Sequence, residues 1–208
     1  MGFYPVFVEL TGRRCLVVGG GAVAERRVAA LLAAGATVTV VAPDLTQGLG
    51  DLAAAGRIAY EARKYGTGDI ADCELAFVAA DGPGVSDEVL MEGRRAGVWV
   101  NAADDPEHCD FILPAIVRRG DLTVAIATGG RSPALTRAIR EELEAYFTDD
   151  YAALADLVAE VRSELRRGRR SPDGETWRRA LRGDVRRLLS EGRRDEAKRR
   201  LLEGLGAA

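Results

Sequence analysis

Three stretches carry residues whose types and spacing could do chemistry. Residues 19–24 read Gly-Gly-Gly-Ala-Val-Ala, directly after the apolar run 15–18. In the pattern G-x-G-x-x-G/A, Gly19 permits a tight turn, Gly21 lets a pyrophosphate approach the backbone, and Ala24 takes the third small position, where helix meets strand. Gly20 lies inside the same turn. The helix start at Ala22 and Val23 would turn free N–H groups and a positive dipole end toward phosphates. A dinucleotide is the expected ligand, although small residues also gather at ordinary turns. The acid expected about 20 residues on, at the end of the second strand, is displaced: Pro43 occupies its place and Asp44 follows. No Arg stands beside Asp44 to hold a 2′-phosphate, so NAD is expected rather than NADP. Ala80 and Asn101, near the ends of later strands, complete the expected cofactor contacts.

The second stretch, residues 101–110, reads Asn-Ala-Ala-Asp-Asp-Pro-Glu-His-Cys-Asp. A strand over 98–103 would deliver it to the same sheet edge as the glycine turn, placing Asp104 to take a proton while a nicotinamide accepts hydride. The plainer alternative is a solvated turn, since Asp-Asp-Pro is common punctuation. His108, the single histidine, sits four residues on and could be a metal ligand or an acid/base partner, or simply a polar loop residue. Asp104, Asp105, Glu107, His108, Cys109 and Asp110 offer many donors without the spacing of a particular metal, so no resident metal is expected. The third stretch, Thr128, Gly129, Gly130, Arg131 and Ser132, is a second glycine turn before a helix start and could hold an anion. With Arg137 and Arg140, Arg131 would suit a substrate rich in carboxylates. Arg137 and Arg140 could equally form a solvated helix face.

The elements that must position these residues follow from periodicity. Strand 15–18, a helix over 22–34 stopped at Gly35 and a β-branched strand over 36–42 close a βαβ unit. A helix over 49–55, a short strand over 58–60, a buried strand over 75–80, a helix over 85–95 and the strand over 98–103 continue the alternation. This predicts a Rossmann-type doubly wound parallel sheet, with ligands beyond the carboxyl ends of its strands. The alternating residues 5–10 predict one more strand beside the first. After residue 103 the pattern changes. Apolar runs 111–117 and 122–127 read as a hairpin, and Ser132 with Pro133 opens a helix to about Phe147. Two further apolar helical faces follow, over 151–165 and 177–189, then a last short helix over 196–205. The expected organisation is a nucleotide domain over 1–111, a mixed α/β dimerisation segment over 112–147, and a small helical domain over 148–208.

The chain has 208 residues, 29 Lys and Arg against 32 Asp and Glu, and 47% hydrophobic residues. It has ample apolar content for a core and no overall basic field for nucleic acid. Residues 1–148 hold 14 basic and 20 acidic side chains and the remainder 15 and 12, an acidic body with a mildly basic tail. No secretory signal or membrane span is visible, so a cytoplasmic location is expected. Cys15, Cys73 and Cys109 have neither disulfide nor zinc spacing.

Taken jointly, the segments Y-P-V-F-V-E-L, L-V-V-G-G-G-A-V-A-E-R-R, V-V-A-P, N-A-A-D and F-I-L-P-A-I-V-R-R-G-D-L-T-V-A-I-A-T-G-G-R-S-P-A-L resemble the precorrin-2 dehydrogenase and sirohydrochlorin ferrochelatase family, which also forms the N-terminal module of siroheme synthases. The likeness is close over residues 4–147 and loose over the helical tail. It implies NAD-dependent oxidation of the tetrapyrrole precorrin-2 to sirohydrochlorin, in some members insertion of ferrous iron as well, and a homodimer with its active site between domains. The family's important aspartate falls on Asp104, and the turn at 128–132 becomes a tetrapyrrole-carboxylate site. Ala127 departs from the family, where many members carry Ser, and Thr128 alone supplies a hydroxyl there. The chain has no room for a uroporphyrinogen methyltransferase, so methylation is expected of another protein. Two other readings stand beside this one: a non-catalytic NAD-sensing dimeric module, and an NAD-dependent dehydrogenase of another small metabolite.

Overall fold

The computed structural model describes residues 2–80, 84–103 and 109–207. Its contacts divide the chain into two compact units, Met1–Leu113 and Pro114–Ala208.

The first unit is a five-stranded parallel sheet in the order β3-β2-β1-β4-β5. Its strands are β1 (Arg14–Val18), β2 (Thr37–Val41), β3 (Ala59–Glu61), β4 (Leu75–Val78) and β5 (Trp99–Ala102), linked by α1 (Ala22–Ala33), α2 (Gln47–Ala54) and α3 (Val85–Ala96). β1 runs in register with β2 (Cys15 beside Val38) and with β4 (Cys15 beside Leu75). A strand covered on both faces must be apolar at every position. Cys15 and Val17 accordingly join the core under α1 and α2, with Val28, Leu31 and Leu49, while Leu16 and Val18 join the core under α3, with Val89 and Leu90. The chain leaves β1 toward β2 and β3 on one side and returns to β4 and β5 on the other, so the switch point falls between β1 and β4.

Residues 5–10 do not form the expected strand. Both edges of β1 are already hydrogen-bonded, to β2 and β4, which leaves no place beside it. Only Leu10 of this stretch is buried.

The second unit opens with an antiparallel hairpin, β6 (Ala115–Arg119) and β7 (Leu122–Ile126), followed by α4 (Pro133–Tyr146). The expected strand start at Phe111 is displaced to Ala115 because Phe111 packs its ring edge-on against Phe77 of β4, centroids 5.6 Å apart. The helical remainder comprises α5 (Asp150–Arg167), α6 (Gly174–Leu181), α7 (Val185–Ser190) and α8 (Arg194–Gly204). Leu157, Val161, Leu165, Val185, Leu188 and Leu201 form its core. The apolar face read over 177–189 is therefore carried by two helices, broken at residues 182–184, where Gly183 interrupts the run.

Candidate functional site: a glycine cradle at the strand ends

The carboxyl edge of the sheet is built from three loops that interlock through backbone groups. Gly19 adopts φ +118°, and a Cβ built on it would lie 2.4 Å from the Ala79 carbonyl oxygen and 2.9 Å from the Ala80 nitrogen. Only glycine accepts both the conformation and the contact. Gly20 meets a different neighbour: its Cβ would fall 1.9 Å from the carbonyl oxygen of Asp44. The Thr46 N–H donates to the Gly20 carbonyl at 2.9 Å, and the Thr46 hydroxyl donates to the Glu25 carboxylate in the first turn of α1. The loop after β2 is thus fastened onto the glycine turn. Gly21 differs from both, with φ −84° and nothing within 4 Å of a Cβ position. It caps α1 without a side-chain hydrogen bond, and the first bond of the helix runs from Glu25 N–H to Gly21 C=O at 3.0 Å. The amides ahead of Glu25 in that turn have no place in the helical ladder.

Open space at Gly21 and close contact at Gly19 and Gly20 fit a dinucleotide. Two glycines let protein backbone pack tightly, and the third leaves room for a pyrophosphate over a helix N-terminus. Of the expected cofactor residues, Gly19, Gly20, Gly21, Ala22, Val23, Pro43, Asp44 and Ala80 come to this one edge. Pro43 and Asp44 are exposed there, and the Tyr60 hydroxyl donates to the Pro43 carbonyl at 3.2 Å.

Asn101 is placed otherwise. It is buried, and its amide donates to the Phe111 carbonyl at 2.9 Å and to Cys109 Sγ at 3.4 Å. Cys109 Sγ in turn donates to the Ala102 carbonyl at 3.2 Å, the Asp110 N–H donates to the Val100 carbonyl at 2.8 Å, and the Asp110 carboxylate accepts from the Val100 N–H at 2.9 Å. The side chain of Asn101 closes the chain's return along β5. Asp104 and His108, the expected catalytic residues, lie outside the described residues. The flanks of their stretch are nonetheless fixed: the Ala103 N–H bonds the Val78 carbonyl at 2.8 Å, and Cys109 bridges Asn101.

The turn at 128–132, in the second unit, is held from within. The Thr128 hydroxyl accepts from the Ser132 N–H at 3.1 Å and meets the Thr136 hydroxyl at 3.1 Å, while Ser132 Oγ accepts from the Leu135 N–H at 3.2 Å as the cap of α4. Gly129 and Gly130 take φ +64° and +79°. Arg137 pairs with Glu141, and Arg140 with Glu144, along α4. Both arginines thus lie along α4, paired with acids of their own helix. Arg131 is exposed and has no ion pair among the described residues.

Sequence reasoning missed the Asp44 contact on Gly20 and the clasp made by Asn101, Cys109 and Asp110. The first had a visible signal, since the fingerprint leaves its second position free and this chain nevertheless carries a third glycine there. Within the second unit, a cavity of about 360 Å³ lies in the helical part beside Trp177 and Leu181.

The chain is similar to known proteins over nearly its whole length. The chain is 38% identical to the siroheme synthase of Methylococcus capsulatus over 210 aligned residues, 100% of this chain and 44% of that protein. It is 38% identical to the siroheme synthase of Nitrosococcus oceani, covering 95% of this chain and 42% of the other. The chain therefore spans less than half the length of these curated relatives. Among solved structures, "SirC, precorrin-2 dehydrogenase" superposes with a TM-score of 0.70 at 26% identity, covering 99% of this chain and 100% of that one. Residues 119–146 match the family described as sirohaem biosynthesis protein central. Residues 6–115, which hold the whole cradle, match the family described as putative NAD(P)-binding, and to that family the chain belongs.

Proposed function

We propose that this chain binds NAD at the Gly19–Gly21 turn and oxidises precorrin-2 to sirohydrochlorin, as a step of siroheme formation. The contrast among the three glycines carries the reading: tight backbone packing at Gly19 and Gly20 beside open space at Gly21. Similarity to siroheme synthases and to a precorrin-2 dehydrogenase over nearly the whole chain supports the substrate. Bound NAD supplies hydride acceptance. Ala22 and Val23 would offer backbone N–H groups to its pyrophosphate, and the carboxylate of Asp44 would disfavour a 2′-phosphate on its ribose. Asp104 takes up the proton that leaves the macrocycle with the hydride, and Arg131 in the 128–132 turn binds substrate carboxylates as a guanidinium fork. The same 104–108 stretch serves a second step, in which ferrous iron is a substrate and Asp104 and His108 accept the displaced pyrrole protons.

In this reading the protein works in the cytoplasm as a homodimer, with residues 112–147 as the dimerisation segment and 148–208 as a helical domain. Burial supports the dimer: α4 has no buried residue, and Val117 is the one buried residue of the hairpin.

The test is an anaerobic incubation of precorrin-2 with NAD and the protein, followed by the absorbance of NADH and sirohydrochlorin. Stoichiometric appearance of both is expected. Asp104→Ala should lower turnover by at least about 100-fold. Undiminished turnover in that variant would remove Asp104 from the reaction, and NAD binding without any tetrapyrrole affinity would replace the enzyme with a sensing module.

A further inference from the structure

We infer that residues 3–8 of one copy of this chain add as an edge strand to the β6–β7 hairpin of a second copy. The inference rests on the homodimer reading and specifies what builds its interface.

The donor segment is unusual for a surface. Phe3, Tyr4, Val6, Phe7 and Val8 are 41, 87, 57, 76 and 47% exposed, a continuous apolar run of the kind that marks an interaction site. No backbone N–H or C=O of residues 3–8 makes a hydrogen bond among the described residues. Its aromatic and β-branched composition suits a strand, and Pro5 restricts it to an edge. Its own sheet offers no place beside β1, which is flanked on both sides.

The receiving hairpin has the converse deficit. Among the described residues β6 pairs only with β7, so each strand keeps one unpaired edge. The hairpin packs against α4 and α5, and its two-stranded sheet still leaves open edges at which a third strand can add. Register places Ala115 and Val117 opposite Ile126 and Val124, an apolar face of which only Val117 is buried. Ile116 beside it is 40% exposed. Residues 3–8 carry no charge, so the donor brings no ion to be desolvated, and the charges of β6, Arg118 and Arg119, lie at its turn end. Strand addition to an open edge would satisfy both backbones at once. The second copy is the occupant because each chain carries one donor segment and one open hairpin. Two copies complete each other reciprocally, as a two-fold interface requires.

Hydrogen exchange on the full chain tests this, read at concentrations above and below the dimer's dissociation as set by sedimentation. In the dimer, one alternate set of amides within residues 3–8 should exchange at least about 100-fold more slowly than in the monomer, together with the outer amides of β6 or β7. Removal of residues 2–8 should weaken dimerisation while NAD binding, the sign of an intact first unit, persists. A dimer whose residues 3–8 exchange at the free-peptide rate overturns strand addition and leaves the homodimer reading standing. A chain that stays monomeric at all concentrations defeats both. Protection that persists in the monomer shows the segment seated on its own chain and equally overturns the proposal.

Discussion

Gly20 and Gly21 are neighbours of one residue type with opposite requirements. A methyl group at Gly20 falls on the Asp44 carbonyl, which is backbone and cannot swing aside. A methyl at Gly21 meets nothing, and φ −84° suits alanine. Gly20→Ala should therefore cost about 1–3 kcal/mol of stability by overpacking, measured as a lower urea midpoint. Gly21→Ala should unfold within about 0.5 kcal/mol of the parent and yet bind NAD at least about 10-fold more weakly by calorimetry, because its methyl enters the space left for phosphate. Equal stability losses in the two variants would mean that the space at Gly21 is not held for a ligand.

At the scale of elements, helix contact with the sheet depends on a glycine that no turn requires. Gly93, buried in α3, would put a Cβ 2.5 Å from Val100 Cγ2 and 2.9 Å from the Val98 carbonyl, so the helix lies directly on β5. Gly93→Ala should push α3 outward and destabilise the first unit by about 1–3 kcal/mol, seen as a lower thermal midpoint. Leu90→Val, one turn away and smaller, should cost about 0.5–1.5 kcal/mol and act as the control for ordinary core trimming. The same scale explains what could be read beforehand. β4, and β1 beyond Arg14, are apolar throughout because both faces are covered, and that run is visible without coordinates. α4 was legible from Ser132 and Pro133, whose chemistry fixes a helix start. Residues 5–10 misled because alternation reports a segment's fitness to be a strand and says nothing about whether an edge is free to receive it. The break at 182–184 was hidden because helices α6 and α7 bury their apolar residues in one shared core, leaving the periodicity looking continuous. At the site, side chains in a motif were readable, while contacts made by backbone carbonyls, such as Asp44 on Gly20, have no residue type to announce them. Asn101 looked like a strand-end polar group facing a ligand, and only the return of Cys109 and Phe111 along β5 shows where its amide is used.

For the whole molecule, the centre of the sheet holds a titratable group that links folding to pH. Burial in β1 pushes the Cys15 thiol up to about 11 from its ordinary 9.0, with the charges of Cys73 and Glu74 adding to the effect. The folded chain keeps the proton where the unfolded chain releases it. The associated stability is therefore complete below pH 9 and is lost as pH rises toward 11, by at most about 2–3 kcal/mol. Urea midpoints should fall across that interval, and Cys15→Ala, having nothing to ionise, should flatten the slope. A parent curve as flat as that of the variant would show the thiol in contact with water. For the same reason Cys15 should resist alkylating reagents until the chain opens.

The seating of Asp44 on the glycine turn bears on which changes of length this protein can tolerate. One oxygen atom of the main chain closes the gap over Gly20, and its position is set by the number of residues between the end of β2 and the Thr46 hydrogen bond. The side chains of Pro43 and Asp44 are exposed and do not set that position. Adding or removing a single residue there would lift the oxygen away and leave a hole beside the glycine turn, so the length of this short connection is fixed.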